Sequence, residues 1–570
     1  MPKFIGKKRI RIGQRMNDID SLNEMDHGTD PTPSSQEGTP SSGRRKGWGK
    51  MAVPDMTASF ARRIGLAILS ACCLILIFPA FDFELLAWIA FIPLFVAIQQ
   101  QDVKNTFWLG WISGVVSGLG TLYWVTITMV RYGGLPFWLS VLTLLILVAY
   151  LALYMGVFTV LLQFLQRYTA IPLIVTAPVL WVGLEYLRSF FVIGFPWNSL
   201  GYSQYLTPFV TQFADMTGVY GISFLIVLVN AGLYAILLTS SPSSVKRRTA
   251  LAIGCCVGLG VGYSLFVLPP SDADGSADTI RVAVVQGNID QGIKWNYKYR
   301  QKIFDTYIHL SEETLDESPD LIVWPETAVP FVLNYDPAFR NRMVEFVRRV
   351  KTFVLFGDID FSPVPDKPQQ YNSLNSAFLL SPDGNLVGKY DKIHLVPFGE
   401  YVPFEDILSF VERITTAIGK VIPGDTPVVM PHPKAPISTI ICFEAIFPNL
   451  VRKFVDRGAK LLVIITNDAW FDRSSASYQH FAMVTFRAIE NRTAIARAAN
   501  TGISGFIDPY GRIVQQSDLF IEQTLVQSLP LRTTTTWYTR YGDVFARLCF
   551  ILSSMLTGYG LIVKRDRSGS

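Results

Sequence analysis

Eight apolar runs, seven of them crowded into residues 64–268, constrain what this 570-residue chain can fold into more than any other feature. They lie at about 64–81, 84–100, 106–130, 137–165, 170–189, 219–239, 250–268 and 542–563. A helix needs roughly 20 apolar residues to cross the hydrocarbon core of a bilayer, and each run is read as one such span. The run at 84–100 is short and broken by Pro93, which membrane helices tolerate. Composition agrees: half the residues are hydrophobic, 17% are charged and mean hydropathy is +0.31, too apolar a balance for one soluble core to hide.

Residues 1–60 are rich in Ser, Gly, Pro and charge and lack apolar periodicity, the pattern of a disordered tail. Its basic start at Lys7, Lys8 and Arg9 is not followed by the apolar core and cleavage site of a signal peptide. Short-loop Lys and Arg set orientation. With the N-terminus in the cytoplasm, the tail, the Lys246-Arg247-Arg248 loop and Lys564-Arg565-Asp566-Arg567 all face inward. An odd number of leading spans then delivers the polar stretch to the extracytoplasmic side. The expected division is a basic cytoplasmic tail (1–60), a polytopic α-helical membrane domain of about seven transmembrane helices (61–269), an extracytoplasmic domain (270–537), and a final helix with a short basic tail (538–570). A net charge of +5 clustered at span ends speaks for membrane orientation and against nucleic acid.

The polar stretch alternates β-rich runs (RVAVVQ at 281–286, LIVW at 321–324, FVLFG at 353–357, ISTIIC at 437–442, LLVIIT at 461–466) with helical patterns at 297–316 and 338–350. This predicts an α/β domain whose helices cover a sheet. Of the six cysteines, at 72, 73, 255, 256, 442 and 549, only Cys442 lies in that domain, so it is a buried small hydrophobe or a free reactive thiol. Three strand ends carry a functional group each: Glu326 after LIVW, Lys392 in YDKIHLVPFGE, and Cys442 after ISTII. Alone, each reads as surface or core. Together they make a nucleophile: a cation favours the thiolate, a carboxylate takes its proton, and lysine with the Phe443 backbone N–H stabilises an oxyanion. No His/Cys cluster has metal-ligand spacing and there is no phosphate loop, so no cofactor is expected.

In this order and context WPET, KIHLVPFGE and ICFE resemble the Glu-Lys-Cys triad of the nitrilase, or carbon-nitrogen hydrolase, superfamily. The fuller resemblance is to its membrane branch, apolipoprotein N-acyltransferase. It includes TNDAWF at 466–471, the tract from QHFAMV to FIDPYG, and the layout of seven spans, outer domain and last span. The resemblance implies an α-β-β-α sandwich with Glu326 as general base, Lys392 as oxyanion stabiliser and Cys442 as nucleophile. It adds Glu400 as a further acidic position, Glu444 beside the nucleophile, and Trp295 as a substrate-engaging tryptophan. Phe443 departs from the tyrosine common there; its N–H survives the change, whereas a role for a phenol does not. Asn372, His394, Asn467, His480, Arg487 and Asn500 fall in family-like tracts and read as supporting residues.

The implied reaction moves an acyl chain from a glycerophospholipid to the α-amine of a diacylglyceryl-cysteine at an apolipoprotein N-terminus, through a thioester, at the inner membrane of a bacterium with the catalytic domain on its periplasmic side. The rivals are a membrane-anchored amidase or nitrilase acting on a small C–N substrate, and a transporter or receptor with an inactive outer domain. Against the latter, Glu185 stands nearly alone as an ionisable group within a span. Two stretches are expected to meet lipid: an arm between Pro397 and Gly424, and the aromatic-rich FFVIGFPWNSLGYSQY at 190–205.

Overall fold

The computed structural model describes residues 59–192, 194–269, 278–364, 367–402, 421–531 and 534–568. The N-terminal tail and most of the expected lipid-facing arm lie outside these residues. The helical half contains α1 (Phe60–Leu76), α2 (Val103–Leu122), α3 (Trp124–Arg131), α4 (Phe137–Tyr168), α5 (Leu173–Arg188), α6 (Val219–Leu237) and α7 (Ser243–Val267). Among the described residues, α4, α6, α7 and the C-terminal helix Val544–Ser568 are long and apolar enough to cross a membrane; the pair α2 and α3, bent by 52°, makes a fifth if it is one span. α1 and α5 run for 17 and 16 residues. The segment 84–100 is not one helix: a 3-10 turn, Glu84–Trp88, precedes a seven-residue helix, Ile92–Ile98. Pro93 has no N–H to continue a helix and sits where a new one starts.

Small residues let α2 and α4 approach closely. Gly114 and Gly118 recur one turn apart, and a Cβ there would lie 2.8 Å from Ala152 Cα and from Val148 Cγ1 respectively.

The polar stretch forms two sheets packed face to face. One has the strand order β11-β1-β2-β3-β4-β5 and the other β10-β9-β8-β7-β6. The strands are β1 (Thr279–Gln286), β2 (Leu321–Val323), β3 (Phe353–Val364), β4 (Lys367–Leu380), β5 (Leu386–Asp391), β6 (Ile437–Ile441), β7 (Leu461–Thr466), β8 (Ala494–Ala499), β9 (Gly505–Ile507), β10 (Ile513–Gln516) and β11 (Gln523–Pro530). Val284, Val323 and Leu379 of the first sheet meet Ile440, Val463 and Ala496 of the second in one buried layer. Helices α8 (Arg300–Glu313) and α9 (Pro337–Val350) cover the first sheet's outer face through Phe304, Tyr307, Phe339 and Phe346, as the helical spacing predicts. Helices α10 (Pro448–Asp456) and α11 (Ser475–Asn491) cover the second. The result is an α-β-β-α sandwich.

β1, β2 and β3 run parallel, as do β6, β7 and β8, and two antiparallel pairings return β5 to the direction of β3. The ends of β2, β5 and β6 are therefore carboxyl ends on one side of their sheets, where groups aimed into a cleft converge.

α11 seats the sandwich on the helical half. Its Ala476, Met483, Phe486 and Ile489 join the apolar core formed by α1 to α6. Gln479 accepts hydrogen bonds from Trp124 Nε1 at 3.3 Å and Trp197 Nε1 at 2.8 Å, and donates to the Pro79 and Thr121 carbonyls, both at 3.2 Å. Arg492, just past its end, pairs with Asp215 at 2.8 Å. The stretch 190–205 therefore divides: Phe190, Phe191 and Val192 are exposed, whereas Trp197, Leu200 and Tyr202 are buried under α11.

Candidate active site

Glu326 follows β2 in a turn pressed against Gly357, where a Cβ would lie 2.6 Å from Thr327 N and 2.7 Å from Glu326 Cα. Asn375 of β4 donates to Glu326 Oε1 at 2.7 Å, and the Asn467 backbone N–H, just past β7, donates to Oε2 at 2.9 Å. Lys392, the first residue after β5, is 99% buried, since only 1% of it is exposed. Its Nζ lies 3.5 Å from Glu326 Oε1 and 3.0 Å from both carboxylate oxygens of Glu400. Burial pulls the Lys392 ammonium down, but Glu400 and Glu326 more than offset it and hold the pKa above that of a free lysine. Glu400 is fastened by the Val396 N–H at 2.8 Å, and one amide nitrogen, Asn375 Nδ2, bridges it to Glu326.

Cys442 opens a 3-10 turn, Cys442–Ile446, at the end of β6. Its φ of +53° is a left-handed conformation that residues with a Cβ adopt only where their surroundings hold them. Glu444, fully buried, is one holder. It accepts from Tyr390 OH at 2.6 Å and from the N–H groups of Ile393, His394 and Ile441 at 2.8, 3.1 and 2.8 Å, tying the Cys442 turn to the segment after Lys392. Burial pushes the Glu444 carboxyl pKa up while these donors oppose it. His480 of α11 is a second holder: its Nε2 lies 3.2 Å from the Cys442 carbonyl, and its other ring nitrogen faces Asp468 at 3.2 Å and Arg497 at 3.1 Å. Burial raises the Cys442 thiol pKa, Glu326 raises it further, and Lys392 opposes both. The Phe443 N–H lies in the first turn of the 3-10 segment, where backbone donors lack intrahelical acceptors.

Trp295, 43% exposed, is no core residue; it caps the one-turn helix Gln291–Lys294 beside the site. Within the helical half a cavity of about 120 Å³ is lined by Leu74, Phe78, Leu122, Met155, Trp197 and Arg188, among others. Trp197 connects it to the site by packing on His480 at 5.9 Å between ring centroids. Among the described residues no group of His, Cys, Asp and Glu could hold a metal ion.

The family model for the apolipoprotein N-acyltransferase N-terminal domain matches residues 70–232, and the carbon-nitrogen hydrolase model matches 281–539. A protein of Geobacter metallireducens named apolipoprotein N-acyltransferase is 43% identical over 507 residues, covering 88% of this chain and 95% of its own. This chain belongs to the apolipoprotein N-acyltransferase family. A Chlorobaculum tepidum protein of the same name is 30% identical, over 85% of this chain and 94% of its own. Among solved structures, an amidase from Nesterenkonia sp. AN1 aligns with 46% of this chain and 93% of its own at 20% identity and a TM-score of 0.34.

Within this family member the folded chain adds residues to those the motifs single out. Asn375, not Asn372, reaches the carboxylates; both stand in the tract YNSLNS, and only the register of β4 chooses between them. Asn467 and Asn500 form a chain, with Asn500 Nδ2 donating to Asn467 Oδ1 at 3.0 Å and Asn467 Nδ2 to Gln291 Oε1 at 2.8 Å. Arg487 serves the junction between the halves, donating to Tyr202 OH and Glu490 at 2.9 Å each. His394 packs on Phe447, with 3.9 Å between ring centroids.

Proposed function

We propose that the chain is a phospholipid:apolipoprotein N-acyltransferase that works by ping-pong chemistry through a Cys442 thioester. The observation that carries this reading is the buried thiol at the end of β6, on a turn that Glu444 ties to the segment after Lys392 and that is seated over the apolar helical half. Glu326 takes the thiol proton as Sγ attacks the acyl ester carbonyl of a glycerophospholipid. Lys392, cationic throughout, and the Phe443 N–H stabilise the oxyanion, and Glu400 keeps Lys392 in place. Collapse breaks the ester C–O bond; the lysophospholipid leaves with the proton from Glu326, and the acyl chain stays on sulfur. The α-amine of the N-terminal S-diacylglyceryl-cysteine of an apolipoprotein then attacks the thioester. Glu326 accepts its proton and returns it to the departing thiolate, leaving an amide. Thioester to amide is downhill, so the donor ester supplies all the energy.

The apolar cavity beneath Trp197 is placed to receive the acyl chain, and the exposed Trp295 to meet the incoming substrate. No cofactor enters any step. The basic residues that open α7 and end the chain favour a membrane-embedded enzyme of the bacterial inner membrane, with the sandwich on the periplasmic face.

The test is mass spectrometry of the purified enzyme incubated with phospholipid alone. The expected result is a hydroxylamine-labile acyl group on the Cys442 peptide with one equivalent of lysophospholipid, discharged as amide when a diacylated lipopeptide is added. An enzyme that acylates the lipopeptide yet never carries acyl on Cys442, with intersecting double-reciprocal plots, transfers directly and the mechanism is wrong. Release of free fatty acid in place of amide would favour the hydrolase rival.

A further inference from the structure

Lys294 is a buried lysine that no motif singles out. It ends the one-turn helix Gln291–Lys294 that follows β1, and only 1% of it is exposed. Its Nζ donates to the Glu326 backbone carbonyl at 3.2 Å and to Thr327 Oγ1 at 2.8 Å. Thr327 has φ +43°, a left-handed conformation especially strained for a β-branched residue. The turn that presents Glu326 is thus gripped from both sides, by the close backbone of Gly357 and by the Lys294 ammonium. The other end of the helix is fastened too, through Gln291 to Asn467, whose own N–H binds the Glu326 carboxylate.

We propose that Lys294 is a positioning residue for Glu326, its buried ammonium clamping the turn that presents the carboxylate. Two acceptors in a buried turn call for a donor, and an amide would serve without burying a charge. An unpaired buried ammonium is costly, which makes the charge itself the feature to explain. The charged and polar groups facing Glu326 are Lys294 from the turn after β1, Asn375 from β4, Lys392 and Glu400 from the segment after β5, the Cys442 thiol after β6, and the Asn467 N–H after β7. Lys392 is shared with Glu400; Lys294 has no carboxylate among its hydrogen-bond partners. Burial pulls its pKa down to about 8, with Glu326 opposing.

The inference rests on Glu326 being the proton acceptor of the proposed reaction. The test compares full-length wild type, Lys294→Gln and Lys294→Met by their kcat and KM for lipopeptide acylation and by thermal melting in detergent. Both variants are expected to melt near the wild type and to lose at least about tenfold in kcat with KM little changed. Gln keeps a donor for the carbonyl and the hydroxyl, so a purely structural role would be rescued by Gln. That result would overturn the proposal, as would wild-type kcat in either variant or failure of both to fold. Were the functional reading itself at fault, the wild type would not acylate the lipopeptide at all, a distinct outcome.

Discussion

In the helical half the side chains open to the surroundings include Phe137, Ile146, Leu251 and Phe266, between 64% and 88% exposed. On the sandwich they include the ion pairs Arg342–Asp305, Arg349–Glu312 and Lys434–Asp320. One physical rule produces both surfaces: apolar groups leave water, and in the first half the surroundings are themselves apolar. The surface ion pairs are individually worth about 0–1 kcal/mol and confer solubility more than stability. Buried charge clusters around Cys442 and along α11, where the two halves meet. The proposed thioester would need water kept out, and a site on that junction would borrow the exclusion from both sides.

The proposed chemistry lies in the sandwich and its support at the junction, and three perturbations test that division. Glu326→Gln removes the only base the proposed mechanism uses while keeping an acceptor for Asn375. Lipopeptide acylation is expected to fall by about 10²–10⁴-fold with the melting temperature little changed. Retention of a tenth of the wild-type rate would put the base elsewhere. Arg492→Met leaves Asp215 buried at the junction without its cation, and the expected cost is about 3–5 kcal/mol, read as earlier melting and separation of the halves in detergent. A wild-type melting curve would show that the halves are held by apolar packing alone. The smallest perturbation should leave activity unchanged and report sidedness: Glu317→Cys on the sandwich is labelled by an impermeant maleimide from the periplasmic side, whereas Ser568→Cys is not. The reverse pattern would invert the orientation.

The apolar runs, the lone polar-domain thiol and the motifs around Glu326, Lys392 and Cys442 were legible because each is a local pattern. Hydropathy over a window, strand alternation and a strand end followed by a functional residue need no partner to be recognised. The break at 84–98 was only half legible, since Pro93 marks a place where a helix starts or kinks without saying which. Asn375 and Lys294 were not legible at all. An asparagine in a strand and a lysine before a tryptophan are common, and nothing within either tract says which buried carboxylate it will face.

The amino-acid sequence by itself determined that the chain has a lipid-facing helical part and an α/β part with a cysteine at a strand end, because hydrophobic periodicity is written residue by residue. Tertiary structure alone decided which groups of different strands meet. The 3.5 Å approach of Lys392 to Glu326, the shared Asn375 bridge and the Lys294 clamp join residues 25 to 66 positions apart. Such contacts depend on sheet register, on the strained turns at Thr327 and Cys442, and on the seating of α11 over Trp124 and Trp197, none of which has a local signature.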